Sequence, residues 1–440
     1  LSITARILIV AREDTHAGAL SDDLDRLGWR TITARGPFAA MAALADLPIE
    51  AAIVDITGDP ESLLLARRLR AASPSGRLPV IALGEPSSEL EAYGFDLVLP
   101  PPVFAAQAIL RIESLVRMAI AEEEFDHRCD TFIARGHPLQ LTHQTADRLK
   151  ILAVGEPDPR FLALTNALKA FNAEVVGAFT AYTAFDYLHE RDFDTVVLWG
   201  GEDEAEALSI ASGMRRNTRL YHLPTLLYLN ENSELEEHDA FTKGVSDLAS
   251  PHTPEVDTAR RIVELARYFR RQSSIRTALV SARTSGLMDA ATGLFTRDLF
   301  ASHLARLGSG QKSSGRPLSV AVLRIAERPE VAKARRTGWL DKAIPQIGSM
   351  VSHLVRVEDT AARLAPEVFA LALPATSLAQ SRAAAERISA VLGCTAFDAG
   401  EDERPFVVGF DIGVCEVDPA LGPVKALETA AMKAARREAI

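Results

Sequence analysis

The feature that most constrains this chain is a rhythm that runs once and then starts again. Ile7-Leu8-Ile9-Val10, Ala51-Ala52-Ile53-Val54 and Pro79-Val80-Ile81-Ala82-Leu83 are short apolar runs, separated by amphipathic segments at Gly18–Gly28 and Leu63–Ala72. Runs that are apolar throughout predict strands buried on both faces, and strands alternating with helices predict βαβ units in a parallel sheet. After a polar stretch from Phe125 to Asp147 the pattern returns. Leu149–Val154, Thr195–Leu198 and Pro224–Leu229 read as strands, with a helix at Arg160–Phe171. The two units are offset by about 145 residues, an internal repeat that predicts two tandem doubly wound α/β domains.

The rest follows a different order. No Gly or Pro interrupts Glu255 to Ser285, and Ile262, Leu265, Ala266, Phe269, Ile275 and Leu279 keep helical spacing, which predicts one long connecting helix. From Gly286, helices mix with a strand at Leu318–Ile325, a hairpin at Ala361–Leu373 and a strand at Phe406–Val414, the pattern of a mixed-sheet α/β domain. The expected domains are 1–125, 147–272 and 287–440.

Lys and Arg number 48 against 59 Asp and Glu, a net charge of −11. That balance opposes nucleic acid or an anionic membrane as a partner but leaves room for a local arginine pocket. Cys129, Cys394 and Cys415 form no CxxC pair, which excludes a disulfide framework and a zinc ribbon and fits a reducing cytoplasm. The apolar run Ile7–Ala11 is too short to span a membrane. His127, His137, His143 and Cys129 read as solvated linker residues, and Cys394 and Cys415 as small packed hydrophobes.

Each repeated unit resembles the receiver domain of two-component signalling. That resemblance implies an acidic pair after the first strand, a phospho-accepting Asp after the third, and Thr/Ser and Lys after the fourth and fifth. Asp55 matches the acceptor. The acidic pair falls on Ala11 and Arg12, with Glu13 and Asp14 displaced, the Thr/Ser position on Gly84 and the Lys position on Pro101. Asp55 is therefore either a phospho-acceptor or a solvated carboxylate at a strand end. The second unit has Trp199 at the acceptor position and Pro251 at the Lys position. It is expected to dock or dimerise, giving a homodimer through the receiver-like domains.

Asp289-Ala290-Ala291-Thr292-Gly293-Leu294-Phe295-Thr296-Arg297-Asp298-Leu299-Phe300 resembles the D-x-L-T-G-L-x-N-R-x-x-F opening of GGDEF domains, and the likeness continues through Ile412-Gly413-Val414. The resemblance implies a nucleotidyl-cyclase-like fold. In active members it also implies condensation of two GTP to cyclic di-GMP with two metal ions held by carboxylates. Here the metal-binding acids fall on Arg324 and Ala326, and the glycine hairpin reads Ala365-Pro366-Glu367-Val368-Phe369. The guanine-contacting Asn position is Thr296, and a family Lys falls on Ala435. A cation at a metal position repels Mg²⁺, and proline removes a backbone donor. The expectation is a degenerate cyclase domain with no catalytic residue, metal or cofactor.

What the family's inhibitory cyclic di-GMP site requires is retained. Arg356-Val357-Glu358-Asp359 is an R-x-x-D five residues before the hairpin, and Ala385-Glu386-Arg387-Ile388 matches the family's second arginine. A guanidinium forks to guanine O6/N7 or to phosphate, and a carboxylate accepts from the guanine N–H edge. Arg356 and Asp359 are expected on one exposed corner after a helix at Gly348–Val355. Arg363 also matches a family arginine. A second R-x-x-D, Arg191-Asp192-Phe193-Asp194, lacks this context. The resemblance implies a non-catalytic cyclic di-GMP effector: a cytoplasmic scaffold or adaptor that gathers protein partners at a cell pole in cell-cycle-regulated proteolysis. Two alternatives remain, a divergent diguanylate cyclase using Glu367 and a purely structural interaction protein.

Overall fold

The computed structural model describes residues 6–12, 16–57, 60–74, 76–85, 87, 89–101, 103, 105–141, 148–156, 159–200, 204–231, 233–235, 237–400 and 403–435. Strands β1 (Arg6–Val10), β2 (Arg30–Ala34), β3 (Ala51–Asp55), β4 (Val80–Leu83) and β5 (Leu97–Leu99) form a parallel sheet in the order β2-β1-β3-β4-β5. Strands β6 (Leu149–Val154), β7 (Ala173–Ala178), β8 (Thr195–Trp199), β9 (Thr225–Tyr228) and β10 (Asp247–Ala249) repeat that topology. In each sheet the central strands are buried on both faces, as Ile7–Ile9 and Ile53–Val54 are, because helices cover both sides.

The third sheet is mixed. Strands β11 (Phe295–Thr296), β12 (Leu318–Ile325), β13 (Thr360–Ala365), β14 (Val368–Pro374) and β15 (Phe410–Glu416) lie in the order β11-β13-β14-β12-β15. Among the described residues only the β11–β13 pair is parallel; β12, β14 and β15 pair antiparallel, and β13–β14 is the expected hairpin. The fold class is thus two parallel α/β domains followed by a mixed-sheet domain.

The polar stretch from Phe125 does not behave as a linker at its start. A helix of 29 residues, Ala105–Ile133, leaves the first unit and runs into the third domain. Its buried face is apolar from Ala108 to Ala121 but takes in Glu124, Arg128 and Thr131 further on, which hides that last part from a hydrophobic-periodicity reading. Arg128 is 1% exposed, and its Nε donates to Glu124 Oε1 at 2.6 Å. The same oxygen meets His303 Nε2 at 2.9 Å and accepts from Thr360 Oγ1 at 2.9 Å. Phe132 is fully buried and meets Phe295 edge-on at 5.7 Å within the third domain's core. His127 and Cys129 are half-buried on this helix, with His127 lying so close to Gly310 that a Cβ there would meet its Nε2 at 2.9 Å. His137 is exposed and His143 lies outside the described residues. Cys415 is half-buried, whereas Cys394, at the end of the helix Leu378–Gly393, is exposed rather than packed.

The connecting helix spans Glu255–Ser281 and closes in a 3₁₀ turn at Ala282–Ser285, ended by left-handed Gly286 (φ 75°). It packs beside the first long helix, where Ala121, Phe125, Ile275, Ala278 and Val357 form one apolar cluster. Arg111 binds Glu264 at 2.8 Å and Arg271 binds Glu122 at 2.9 Å across the same seam. The third domain therefore rests on two helices, one from each repeat. No described helix is long and apolar enough to cross a membrane.

Phe132 belongs to the first unit's helix but packs in the third domain's core. Phe132→Ala is expected to cost about 3–5 kcal/mol. Denaturant melts should show a lower midpoint, and amide exchange should quicken in β11 and β13.

Candidate functional site

The helix Trp339–Leu354 ends where the chain turns extended at Val355. Its last carbonyls would be orphaned without donors, and cations suit the negative end of a helix dipole. Arg276 of the connecting helix supplies two, donating to Ser352 O at 3.2 Å and Val355 O at 2.9 Å. Arg387 Nη2 donates to Leu354 O at 3.2 Å. The chain then closes on itself. Asp359 Oδ2 accepts from the Arg356 N–H at 2.9 Å, and the Asp359 N–H donates to Arg356 O at 3.2 Å.

This turn brings Arg356 and Asp359 together and sets Arg387 beside them, but not on an exposed corner. Asp359 is 9% and Glu358 3% exposed, and Arg356 is half-buried. The first long helix covers the turn: Arg117 pairs with Glu358 at 3.3 Å, and Arg128 Nη2 donates to Asp359 O at 3.0 Å. The second unit covers the rest. Its Tyr221 presents a ring 5.0 Å from the Arg387 guanidinium. The R-x-x-D at Arg191 is structural: Arg219 holds Asp192 at 3.1 Å, and Asp194 takes Arg270 and the Lys150 N–H.

A cavity of about 340 Å³ opens at this junction, lined by Arg356 and Glu358 with Arg117, Arg215, Tyr221 and Tyr268. Arg117 is committed to Glu113 and Glu358, and Arg215 to the carbonyls of Gly244 and Tyr221. The Arg356 guanidinium makes no hydrogen bond or ion pair to the described residues. A second cavity, of about 140 Å³, is lined by Arg276, Leu279, Met288, Leu294, Arg356 and Asp359 among others. Asp359 Oδ1 is buried with no partner among the described residues.

Burial, then the neighbouring Glu358 charge, pushes the Asp359 carboxyl up to about 6. Burial lowers Arg276 to about 10. Burial and the charges of Arg276, Arg215 and Arg387 hold His222, which also lines the larger cavity, well below the usual imidazole range. Sequence reasoning missed Arg117, Arg128, Arg276 and Tyr221, and no local signal could have found them, because each reaches the turn from a distant segment.

The positions expected to be degenerate lie elsewhere on the third domain. Arg324 is exposed near the end of β12, in register with Val368 on β14 and Asp411 on β15. The Ala326 N–H donates to Gly409 O at 2.8 Å, and its methyl offers no ligand. Ala365 and Pro366 are exposed at the hairpin tip, where Pro366 O accepts from Arg363 Nη2 at 3.0 Å. Arg363 also pairs with Asp289 at 3.4 Å and so ties the tip to the domain's opening segment. The Glu367 carboxylate is forked by Arg335 at 2.7 and 2.8 Å, and Arg335 holds Glu327 as well. Thr296 caps the helix Arg297–Ser314, and Ala435 is an exposed methyl on the helix Pro423–Ala435. Glu367 and Glu327, both held by the Arg335 guanidinium, do not fit a pair of divalent metals.

In the first unit Asp55 is half-buried at the end of β3, its Oδ1 accepting from the Thr57 N–H at 2.9 Å. Ala11 is buried and Arg12 exposed at the neighbouring strand end, while Glu13 and Asp14 lie outside the described residues. In the second unit the acceptor position is aromatic: Trp199 stacks on Tyr228 at 4.2 Å and meets Phe161 edge-on at 5.7 Å.

Residues 286–438 match the family described as "Diguanylate cyclase, GGDEF domain". The third domain is a GGDEF domain. Over 425 residues the chain is 22% identical to the response regulator PleD of Caulobacter vibrioides, covering 94% of this chain and 92% of that protein. Among solved structures, the FimX GGDEF domain of Pseudomonas aeruginosa covers 34% of this chain and 91% of its own at 19% identity (TM-score 0.31). The DgcB GGDEF domain of Caulobacter crescentus, solved with c-di-GMP, covers 33% and 84% at 20% identity (TM-score 0.31).

Because the folded Asp359 carboxyl titrates near 6 and the free side chain near 3.8, the folded state binds the extra proton between those values. Stability contributed by that proton is present below pH 3.8 and is lost as pH rises to about 6. Asp359→Asn removes this slope. Denaturation midpoints of variant minus wild type should therefore climb between pH 4 and 6 and level off above pH 7.

Proposed function

We propose that this chain is a non-catalytic receptor for cyclic di-GMP, which binds through Arg356, Asp359 and Arg387, and that it acts as a signalling scaffold. The observation that carries this reading is the uncommitted Arg356 guanidinium on a 340 Å³ cavity that also holds aromatic rings and further arginines. Cyclic di-GMP is a dianion with two guanine faces. It needs forked donors for phosphate or guanine O6/N7, a carboxylate for the N–H edge, and flat surfaces for stacking. The Asp359 oxygen without a partner among the described residues supplies the acceptor from the adjoining 140 Å³ cavity, which Arg356 also lines, and the Tyr221 ring, with Arg387 over it, supplies a flat surface in the larger one.

The GGDEF family and the likeness to PleD connect the chain to cyclic di-GMP signalling without choosing between synthesis and reception. Arg324, Ala326 and the Arg335 clasp on Glu367 favour reception, since they remove or neutralise the anionic ligands that two-metal chemistry uses. A degenerate hairpin with a kept R-x-x-D further resembles PopA. By that resemblance the protein is a recruiting adaptor, homodimeric through its receiver-like domains and gathered at a cell pole. There it helps deliver a cell-cycle regulator to proteolysis. Ligand binding would shift the population of the recruiting conformation.

Calorimetric titration with cyclic di-GMP should show binding to the wild type and a loss of about 10- to 100-fold in Arg356→Ala, the worth of one charge-assisted contact. Binding that ignores Arg356→Ala would remove the site assignment. GTP with Mg²⁺ or Mn²⁺ should give no cyclic dinucleotide. Turnover that vanishes in Glu367→Gln would instead establish a divergent cyclase.

A further inference from the structure

We propose that the helix Ala105–Ile133, which starts in the first receiver-like unit, sets the ligand affinity of the Arg356–Asp359 turn through two positioning residues, Arg117 and Arg128. The proposal rests on the cyclic di-GMP reading of that turn. It adds a direction of control that the R-x-x-D motif does not contain.

The geometry is specific. Between the motif's two binding residues stands Glu358, 3% exposed, whose carboxylate pairs with Arg117 at 3.3 Å. Arg117 is itself anchored by Glu113 on its own helix, Nη2 to Oε1 at 2.8 Å, so it is a fixed arm and not a loose surface cation. One residue on, the Asp359 carbonyl accepts from Arg128, which is oriented by the buried Glu124 at 2.6 Å. The turn's middle and end are therefore gripped by side chains eleven residues apart on one rigid element.

A buried carboxylate that loses its cation is costly, because the low-dielectric surroundings no longer compensate its charge. If the helix shifts, Glu358 must move out, and the turn that fixes Arg356 and Asp359 moves with it. Small displacements matter, since a forked guanidinium and a carboxylate must face one ligand together. The first receiver-like unit thereby gains leverage over ligand affinity, and ligand binding must favour the docked helix by the same factor.

Several charged or titratable groups face the Asp359 carboxyl. Arg356 and Glu358 lie on its own turn, Arg117 and Arg128 on the first long helix, Arg276 on the connecting helix and His353 on the preceding helix. Ligand acceptance needs the carboxylate, so wild-type binding should weaken as pH falls through about 6. Removing the Glu358 charge in Glu358→Gln should move that limb to lower pH, a change that a merely structural role would not produce.

The test uses the full chain. Cyclic di-GMP affinity and amide exchange of the Arg356 N–H are measured in wild type, Arg117→Gln, Glu358→Gln and the double variant, with Arg356→Ala as the control for the site itself. Arg117→Gln should weaken binding about tenfold and quicken Arg356 exchange by a similar factor, and the double variant should recover part of both. If Arg117→Gln fails to fold, Arg117→Lys serves in its place. It keeps the charge but cannot bridge Glu113 and Glu358 together, so the same two readouts should fall between wild type and loss. Unchanged affinity and exchange in the Arg117 variants, beside lost binding in Arg356→Ala, would overturn the proposal and leave the receptor reading intact. A wild type that binds no cyclic di-GMP would overturn the receptor reading and, with it, the claim on affinity, even where the Arg117 variants quicken Arg356 exchange.

Discussion

Glu124 is the group on which the arrangement of domains depends. Its Oε1 is shared by Arg128 from the same helix and by His303 and Thr360 from the third domain, all out of contact with water. Burial by itself would raise its pKa. Arg128, His303 and Thr360 outweigh that and hold it below the usual carboxylate range. His303 is likewise lowered, by burial and despite its acidic neighbour. A charge held by partners on two domains cannot be exposed on one side without stranding it on the other. That is why the first unit's helix stays docked, why Phe132 can fill the third domain's core, and why the R-x-x-D turn finds arginines waiting above it.

The interfaces of this acidic chain are built largely from arginine. Arg111, Arg117, Arg128, Arg271, Arg276 and Arg316 each reach from one domain or long helix to an acceptor on another. Such seams are more polar than a domain core, and polar seams between domains are the ones that rearrange. Guanidinium suits the task because its planar fork satisfies carbonyls and carboxylates alike without losing its charge. Net charge, at −11, reports none of this, since the arginines that matter are internal to the chain's own architecture.

How much of this was legible in the sequence follows from the range of the forces involved. Strands β3 and β4 declare themselves because Ala52–Val54 and Val80–Leu83 are apolar on both faces and the pattern is local. Arg324, Ala326, Pro366 and Trp199 were read as single residue types, and the fold adds where each lies and what it touches. The helix through Phe125–Ile133 was not, since its buried face carries Glu124, Arg128 and Thr131 and periodicity of apolar residues cannot reveal a polar core. Nor was the burial of Asp359, whose covering groups lie more than two hundred residues away along the chain. The aromatic stack behind Trp199 was half legible: tryptophan excluded phosphorylation, but only the fold sets Tyr228 against it.

Within the third domain one kind of contact produces two opposite outcomes. At the hairpin, Arg335 closes both oxygens of Glu367, which occupies the carboxylate that metal chemistry would use. At the R-x-x-D turn the carboxylate is engaged differently. One Asp359 oxygen stabilises the turn by accepting from Arg356's own backbone N–H, while the other oxygen and the Arg356 guanidinium have no partner among the described residues. Backbone closure keeps the turn's shape without using the groups a ligand needs, whereas side-chain closure at the hairpin does the reverse. Both places present a guanidinium, Arg335 at the hairpin and Arg356 at the turn, and a guanidinium repels cations and attracts anions. The hairpin closes its charges on each other, while the turn keeps a guanidinium and a carboxylate oxygen in shape without closing them.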